Sequence, residues 1–439
     1  MEIAPITVGI LGFVLLFILI LLRVPIAFAF GAIGFSGLIY LRGLKPAVSV
    51  LTTNIWTEAT SYTLMAVPLF ILMGMFAYQS GIGPDLYQTA LRWVGRVPGG
   101  LAVATTWGCA AFAACTGSST AGVLTFGPIA FKPMLENKYS RSLSLGTICC
   151  GATMGQVIPP SLGFIIYGGL TDESVGKLFM AGIVPGLLEA VLYSIVIIAF
   201  TALGIWSGPP GPKFNWKEKF ASLKDVWGML TLFLLVMGGI YGGIFTPTEA
   251  AALGAFGSLV ILVSRRGFSW TYIKNAFSES LRTSCMVLTI IIGAIIFARF
   301  VANTGLSDGL ANGILALPVS PTTIVVLLLF VYFLVGCLMP GVAFLTLTVP
   351  LLYPAFVTSL GLNGLWFGVL AVVSLEVAQI TPPIGMNLFA IKGLLKDECP
   401  EGELYRGVLP FVLADLVRIA LLVAFPALSL WLPSQMVTR

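Results

Sequence analysis

Cys115–Pro128 reads CTGSSTAGVLTFGP, and Gln156–Ser161, after a basic loop, reads QVIPPS. Cys337–Pro350 reads CLMPGVAFLTLTVP, and Gln379–Gly385, after a polar loop, reads QITPPIG. Cys115 and Pro128 lie 222 positions before Cys337 and Pro350, and Gln156, Pro159 and Pro160 lie 223 positions before Gln379, Pro382 and Pro383. Two polar, helix-breaking insertions therefore recur in two halves of one chain. In membrane transporters such paired interruptions point at the binding site.

The surroundings are apolar. The 439 residues are 58% hydrophobic and 9% charged, with mean hydropathy +1.02; soluble domains carry about 25% charged residues. Apolar runs such as Ile6–Leu22 and Val226–Ile240 approach the roughly 20 residues a helix needs to span a bilayer, and they lack the short alternation of a β-barrel. The expected class is an all-α polytopic membrane protein. Glu2 stands where a signal peptide would be basic, so the first helix is expected to be retained. The chain has no histidine, and its seven cysteines lack zinc spacing and read as small apolar fillers.

Along the chain the breakers define the elements. Ile6–Leu22 and Ile26–Tyr40 are two spans; Ala47–Ser61 is mixed; Val67–Tyr78 is a third span. Pro84–Val97 is amphipathic and expected to lie at the interface. Gly99–Ala114 and Thr120–Met134 are too closely joined to be two ordinary spans, so Thr116–Ser119 reads as the tip of a re-entrant hairpin. Leu143–Gly169 is one span opened at Ile158–Pro160, because Pro160 lacks an N–H and disfavours helix at Pro159. Leu178–Ile205 follows. In Phe245–Glu249, Thr246 is the N-cap, Pro247 the first helical residue and Glu249 the closing member of a capping box.

The second half repeats the scheme. Cys285–Val301 is a span, Leu306–Leu317 an interfacial helix, and Thr323–Cys337 with Val342–Phe356 a second hairpin around Met339-Pro340-Gly341. Leu365–Ile391 breaks at Thr381–Pro383, and Val408–Leu432 closes the chain. The expected division is scaffold helices over 1–63, a first repeat over 64–206, a basic linker over 207–225, scaffold helices over 226–280 and a second repeat over 281–439. With hairpins that do not cross, 17 of the 23 Lys and Arg fall on one side; only Arg42, Lys45, Lys177 and Arg439 fall on the other, and Arg299 and Arg418 are intramembrane. The crowded side is cytoplasmic by the positive-inside rule. The hairpins then enter from opposite faces, which makes the halves inverted-topology repeats.

Each tip and each break exposes backbone amides and carbonyls at membrane depth. Half-helix C-termini suit a cation and N-termini an anion. Thr116, Ser118, Ser119, Thr381 and Asn387 add neutral oxygens. Such cages suit Na⁺, and a carboxylate substrate suits hydroxyls with helix N-termini; neither tip carries the carboxylates a divalent ion needs. Glu376 lies three residues before Gln379 and is either an ion-coupling carboxylate or a structural one. Asp415 and Arg418 are expected to neutralise each other, Glu249 to be structural, and Glu58 and Glu189 acquire no role. An enzyme is disfavoured, since there is no histidine, no Gly-x-Ser-x-Gly and no clustered carboxylates. No catalytic residue is assigned. A channel is disfavoured because polar positions gather at mid-depth instead of along a path.

The runs Gly242–Ala252 (GGIFTPTEAAA) and Gln379–Phe389 (QITPPIGMNLF), with Pro68–Gly74 and Ile158–Ser161, resemble the large membrane subunit of tripartite ATP-independent periplasmic (TRAP) transporters. The resemblance covers essentially the whole chain. It implies a scaffold, two interfacial arm helices and a mobile core that carries both hairpins as an elevator, driven by a Na⁺ gradient with no other cofactor. It implies one Na⁺ site at Thr116, Gly117, Ser118 and Ser119 with Gly155, Gln156 and Pro159. It implies another at Met339, Pro340 and Gly341 with Gln379, Thr381, Pro382 and Gly385. Ser118, Ser119, Glu376 and Asn387 remain candidates for substrate or coupling contacts. The implied partners are a small four-helix membrane subunit, expected as a separate chain, and a periplasmic substrate-binding protein that delivers an organic acid. Many members carry an acidic residue after Gly-x-x-Met at the second tip; here Pro340 stands there, and Glu376 is the candidate substitute. The competing expectation is a stand-alone Na⁺/dicarboxylate or ion-exchange carrier of the same fold.

Overall fold

The computed structural model describes residues 4–316, 318–336, 341–382 and 385–436, and every regular element among them is helical. The N-terminal helices are α1 (Pro5–Leu21), α2 (Ile26–Arg42) and α3 (Leu44–Ala59); the mixed stretch at 47–61 is thus a helix. Next come α4 (Ala66–Gln79) and α5 (Gly83–Val94), bent 76° from each other at a short break. Gly81 turns the chain there with φ +70°, a conformation open to glycine. The bend sets α5 off as a separate short helix that packs on α6 (Gly100–Thr116) and α11 (Trp216–Tyr241). The first hairpin is α6 (Gly100–Thr116) and α7 (Ser119–Glu136). The first broken span is α8 (Arg141–Gly151), a 3₁₀ turn (Ala152–Gln156) and α9 (Leu162–Thr171), followed by the long α10 (Val175–Ala202).

The second half begins with α11 (Trp216–Tyr241) and α12 (Pro247–Arg266), each started by a capping box, Asn215 with Glu218 and Thr246 with Glu249. It continues with α13 (Trp270–Thr304), α14 (Leu306–Leu315), the hairpin helices α15 (Pro321–Gly336) and α16 (Gly341–Tyr353), and the broken pair α17 (Gly364–Ile380) and α18 (Met386–Leu395). The chain closes with α19 (Glu401–Ala424) and α20 (Ala427–Ser434). The order span, arm, hairpin, broken helix, long helix is therefore met twice. Among the described residues, six helices are long and apolar enough to cross a membrane, and the bent pair α4–α5 makes up to seven.

Three boundaries differ from expectation. The span expected at Cys285–Val301 starts at Trp270, because the polar turn with Lys274 and Arg282 continues the same helix beyond the apolar stretch. The last span ends at Ala424, since Pro426 forces Phe425 out of helical geometry and a separate short helix follows. The first break opens at Ala152, well before the prolines. Pro159 and Pro160 cannot donate to the carbonyls one turn earlier, so the helix tightens into a 3₁₀ turn first. The Ser161 hydroxyl then donates to the Gln156 carbonyl and accepts from the Phe164 amide at 3.3 Å, which starts α9.

The scaffold is packed on small residues. A Cβ at Gly34 of α2 would lie 2.7 Å from the Phe297 backbone of α13, and one at Gly293 of α13 would lie 2.3 Å from the Ala27 carbonyl oxygen. Backbones this close need glycine on both sides. Gly34→Leu is expected to cost about 1–3 kcal/mol through overpacking, read as a lower thermal midpoint of the detergent-solubilised protein; an unchanged midpoint would contradict this packing.

Both hairpins are anchored to the flanks of α10, at opposite ends. The Gly99 amide at the base of the first hairpin donates to Gly208 just beyond the α10 C-terminus at 2.8 Å, and Tyr139 donates to the Pro209 carbonyl at 2.6 Å. Tyr353 at the base of the second hairpin donates to Glu173, just before the α10 N-terminus, at 3.0 Å. The basic groups placed on the crowded side also gather: Arg265 pairs with Asp85, and Arg92 lies 3.6 Å from Asp225. Of the cysteines among the described residues, Cys109, Cys115, Cys149, Cys150 and Cys399 are buried and unpaired, as apolar fillers would be, and Cys285 is exposed.

Candidate functional site

Ser118 and Ser119 sit where α7 begins. Gly117, with φ +59°, ends α6, and Ser118 caps α7 by accepting from the Ala121 amide at 3.4 Å. The tip lies against the first break: a Cβ at Gly117 would be 2.4 Å from the Pro160 carbonyl oxygen, and one at Gly155 would be 2.9–3.1 Å from the Ser118 backbone. Gly74 of α4 meets the tip from the other side, its added Cβ falling 2.9 Å from Thr116 Cα. These contacts are backbone on backbone, so the three glycines are steric requirements of the site.

Ser119 joins the halves. Its buried hydroxyl donates to Gln379 Oε1 of α17 at 2.9 Å and accepts from Gln156 Nε2 at the first break at 3.3 Å. The two glutamines, 223 positions apart in sequence, thus meet on one oxygen. Gly341 at the start of α16 packs on the same side chain, its added Cβ falling 2.8 Å from Gln379 Nε2. First tip, first break, second broken helix and second hairpin therefore converge.

The other expected residues divide. Thr116 donates to the Phe112 carbonyl at 3.1 Å and Thr381 to the Val377 carbonyl at 2.7 Å, each within its own helix. A hydroxyl that donates keeps lone pairs for a cation. Gly385 folds back to donate to the Thr381 carbonyl at 3.1 Å, with Pro382 part-exposed beside it. Asn387 donates to the Cys149 carbonyl at 3.2 Å, while its Oδ1 is buried without a partner among the described residues. Pro159 packs with Cys115 on an apolar cavity of about 280 Å³ between the first hairpin, α10 and α11, lined also by Trp107, Ile183 and Phe233. Met339, Pro340 and Pro383 lie outside the described residues.

The buried charges pair with one another. Of the two readings for Glu376, the structure shows a structural pairing: its Oε2 accepts from Arg418 Nη2 at 2.7 Å, wholly buried. Arg418 is not matched by Asp415 alone. It lies 3.0 Å from Asp415 Oδ1 and also pairs with Glu189, so three carboxylates surround one guanidinium, all fully buried. The carboxylates do cluster, but around a cation, and among the described residues they form no metal site. Sequence reasoning missed this because the partners lie on α10, α17 and α19. The available signal was arithmetic: Glu189, Glu376 and Asp415 fall deep in apolar runs with one deep arginine, and charges there must pair.

An all-helical membrane transporter built on two hairpin-and-break units is the class this fold and site define. Solved structures agree on the fold. The YdaH transporter of Alcanivorax borkumensis aligns with TM-score 0.64 at 17% identity, covering 88% of this chain and 89% of that one. MtrF of Neisseria gonorrhoeae aligns with TM-score 0.59 at 14% identity, covering 97% and 95%. Residues 13–428 match the DctM component of the tripartite ATP-independent periplasmic transporters. The chain belongs to that family, as a large permease and a multi-pass protein of the bacterial inner membrane. The C4-dicarboxylate TRAP large permease DctM of Pseudomonas aeruginosa is 34% identical over 409 residues, 92% of this chain and 94% of that protein. The sialic acid TRAP large permease SiaM of Vibrio cholerae is 30% identical, covering 85% and 86%. The isethionate permease DctMQ of Oleidesulfovibrio alaskensis is 31% identical; this chain spans 65% of its length.

Proposed function

We propose that this permease imports an organic acid in symport with Na⁺, the two hairpins and two breaks forming one mid-membrane site that crosses the bilayer as an elevator. The convergence on Ser119 of Gln156 and Gln379 carries this reading, since a shared site is what paired interruptions at mid-depth predict. Anchorage of the hairpin bases at opposite ends of α10 supports inverted repeats, which give the site access from either face. The ligand oxygens on offer are hydroxyls, amides and carbonyls, a neutral set suited to Na⁺; the tip glycines and the Ser118 N-cap offer helix N-terminal amides to a carboxylate. Relatives named for C4-dicarboxylates, sialic acid and isethionate favour an anionic organic substrate. A small four-helix membrane subunit and a periplasmic binding protein would complete the system, a reading that the tripartite family name favours.

The test is uptake of radiolabelled solute into proteoliposomes that hold the permease with its small subunit, with loaded binding protein outside. Concentrative uptake is expected under an inward Na⁺ gradient and is expected to vanish when Na⁺ is replaced by K⁺ or choline. Equal uptake in K⁺ would remove the Na⁺ assignment. Full uptake by the permease alone would favour a stand-alone carrier.

A further inference from the structure

The site network and the buried charge cluster are linked at both ends. Thr153, in the 3₁₀ turn of the first break, lies three residues before Gln156, and its hydroxyl, which donates to the Cys150 carbonyl, also lies 3.3 Å from Glu189 Oε1. Glu189 pairs with Arg418 Nη1. Arg418 Nη2 donates to Glu376, which lies three residues before Gln379 on α17. Gln156 and Gln379 then meet on Ser119. The contacts close into a ring: Arg418, Glu189, Thr153, one turn of backbone to Gln156, Ser119, Gln379, one turn of backbone to Glu376, and Arg418 again. Tyr193 donates to Asp415 Oδ2 at 2.7 Å and holds the third carboxylate beside the ring.

We propose that Arg418 is a positioning residue that sets the spacing of the two helix breaks and so couples the two halves of the cation site. The inference rests on the Na⁺ reading above for its functional arm only. Each break is an interrupted helix whose end could otherwise drift by a turn. The guanidinium fork holds a carboxylate from each side at once, one through each terminal nitrogen, and no water reaches it. A movement of either break therefore pulls on the other through Arg418 below and through Ser119 above. A buried ionic cluster is a poor way to stabilise a fold, since apolar side chains of like volume often do as well or better. Its placement, one turn from Gln379 through Glu376 and one hydroxyl contact from the turn that carries Gln156, gives it a positional role that apolar packing could not supply.

Arg418→Lys tests this, because it keeps the charge and loses the fork. Backbone hydrogen exchange, followed without substrate, is expected to quicken at both 153–157 and 377–381. The Na⁺ half-saturation of uptake is expected to rise by about tenfold, the lower end of what supporting partners of ion ligands contribute, and the Na⁺ dependence to become less steep. Glu376→Gln is expected to quicken exchange at 377–381 alone, and it keeps the test open should Arg418→Lys not fold. A lower maximal rate with exchange at both breaks and half-saturation as in the parent would overturn the proposal and leave a merely structural cluster. Faster exchange with unchanged half-saturation would overturn the coupling. If uptake by the parent protein ignores Na⁺, the Na⁺ reading fails by itself, and unchanged exchange at the breaks is then the result that overturns the positioning role.

Discussion

Ser119→Ala is expected to reduce Na⁺-driven uptake by about 100-fold while the permease stays folded and inserted, an effect on the scale of losing an ion-supporting contact. The hydroxyl is the one atom on which both site glutamines meet, at 2.9 and 3.3 Å. Alanine fits the space, so packing survives. The two amide groups, however, lose a buried partner, at a cost of about 1–3 kcal/mol for each group left unsatisfied. Gln379 would then be free to turn from the tip, and the first hairpin would lose its only side-chain hydrogen bond to α17 among the described residues. Adding Ser118→Ala removes the α7 N-cap as well and is expected to abolish uptake. The measurement is initial uptake rate in proteoliposomes against membrane content. Wild-type rates in the double variant would remove the hairpin tip from the site.

Arg418→Met is expected to have the largest effect on stability. It would strand Glu189, Glu376 and Asp415, each fully buried, beside one another with no cation. Removing one partner of a buried pair typically costs about 3–5 kcal/mol, and here three acids lose theirs. The expected result is little monodisperse protein in size-exclusion chromatography and a strongly lowered thermal midpoint. Adding Glu189→Gln and Glu376→Gln to Arg418→Met is expected to recover much of the loss, because the residues act as one network and their effects do not add. A triple variant no better than the single one would show that the charges are not what holds α10, α17 and α19 together.

Much of this arrangement was legible in one dimension, for reasons of solvent. A bilayer demands internally paired backbone, so apolar length marks helices and prolines mark openings. Hence the first hairpin turns at Thr116–Ser119, a short helix covers most of Pro84–Val97, both broken spans are interrupted on the approach to their Pro-Pro pairs, and the 222-residue repeat survives as a repeated order of elements. Boundaries set by polar turns were less visible. Nothing apolar marks Trp270 as the start of α13, and the tightening at Ala152 answers to hydrogen bonds that the prolines fail to make. Within the site, Ser119, Gln156 and Gln379 were readable because they flank breakers. Arg418 was not, because a charge pair between distant helices leaves no spacing in the sequence. Glu376 illustrates the limit: its distance from Gln379 was evident, but only the fold reveals that a guanidinium already holds it.

The apolar cavity beside Cys115 and Pro159 bears on the elevator movement proposed above. Tightly interlocked side chains resist sliding, because each ridge must climb out of its groove before the next step. Along the flank of the first hairpin that faces α11, about 280 Å³ is left unfilled, and small residues such as Ala110, Ala111 and Ala114 line it. That flank has few teeth to disengage. Under the elevator movement proposed above, a surface of this kind would let the hairpin shear past α11 with little friction.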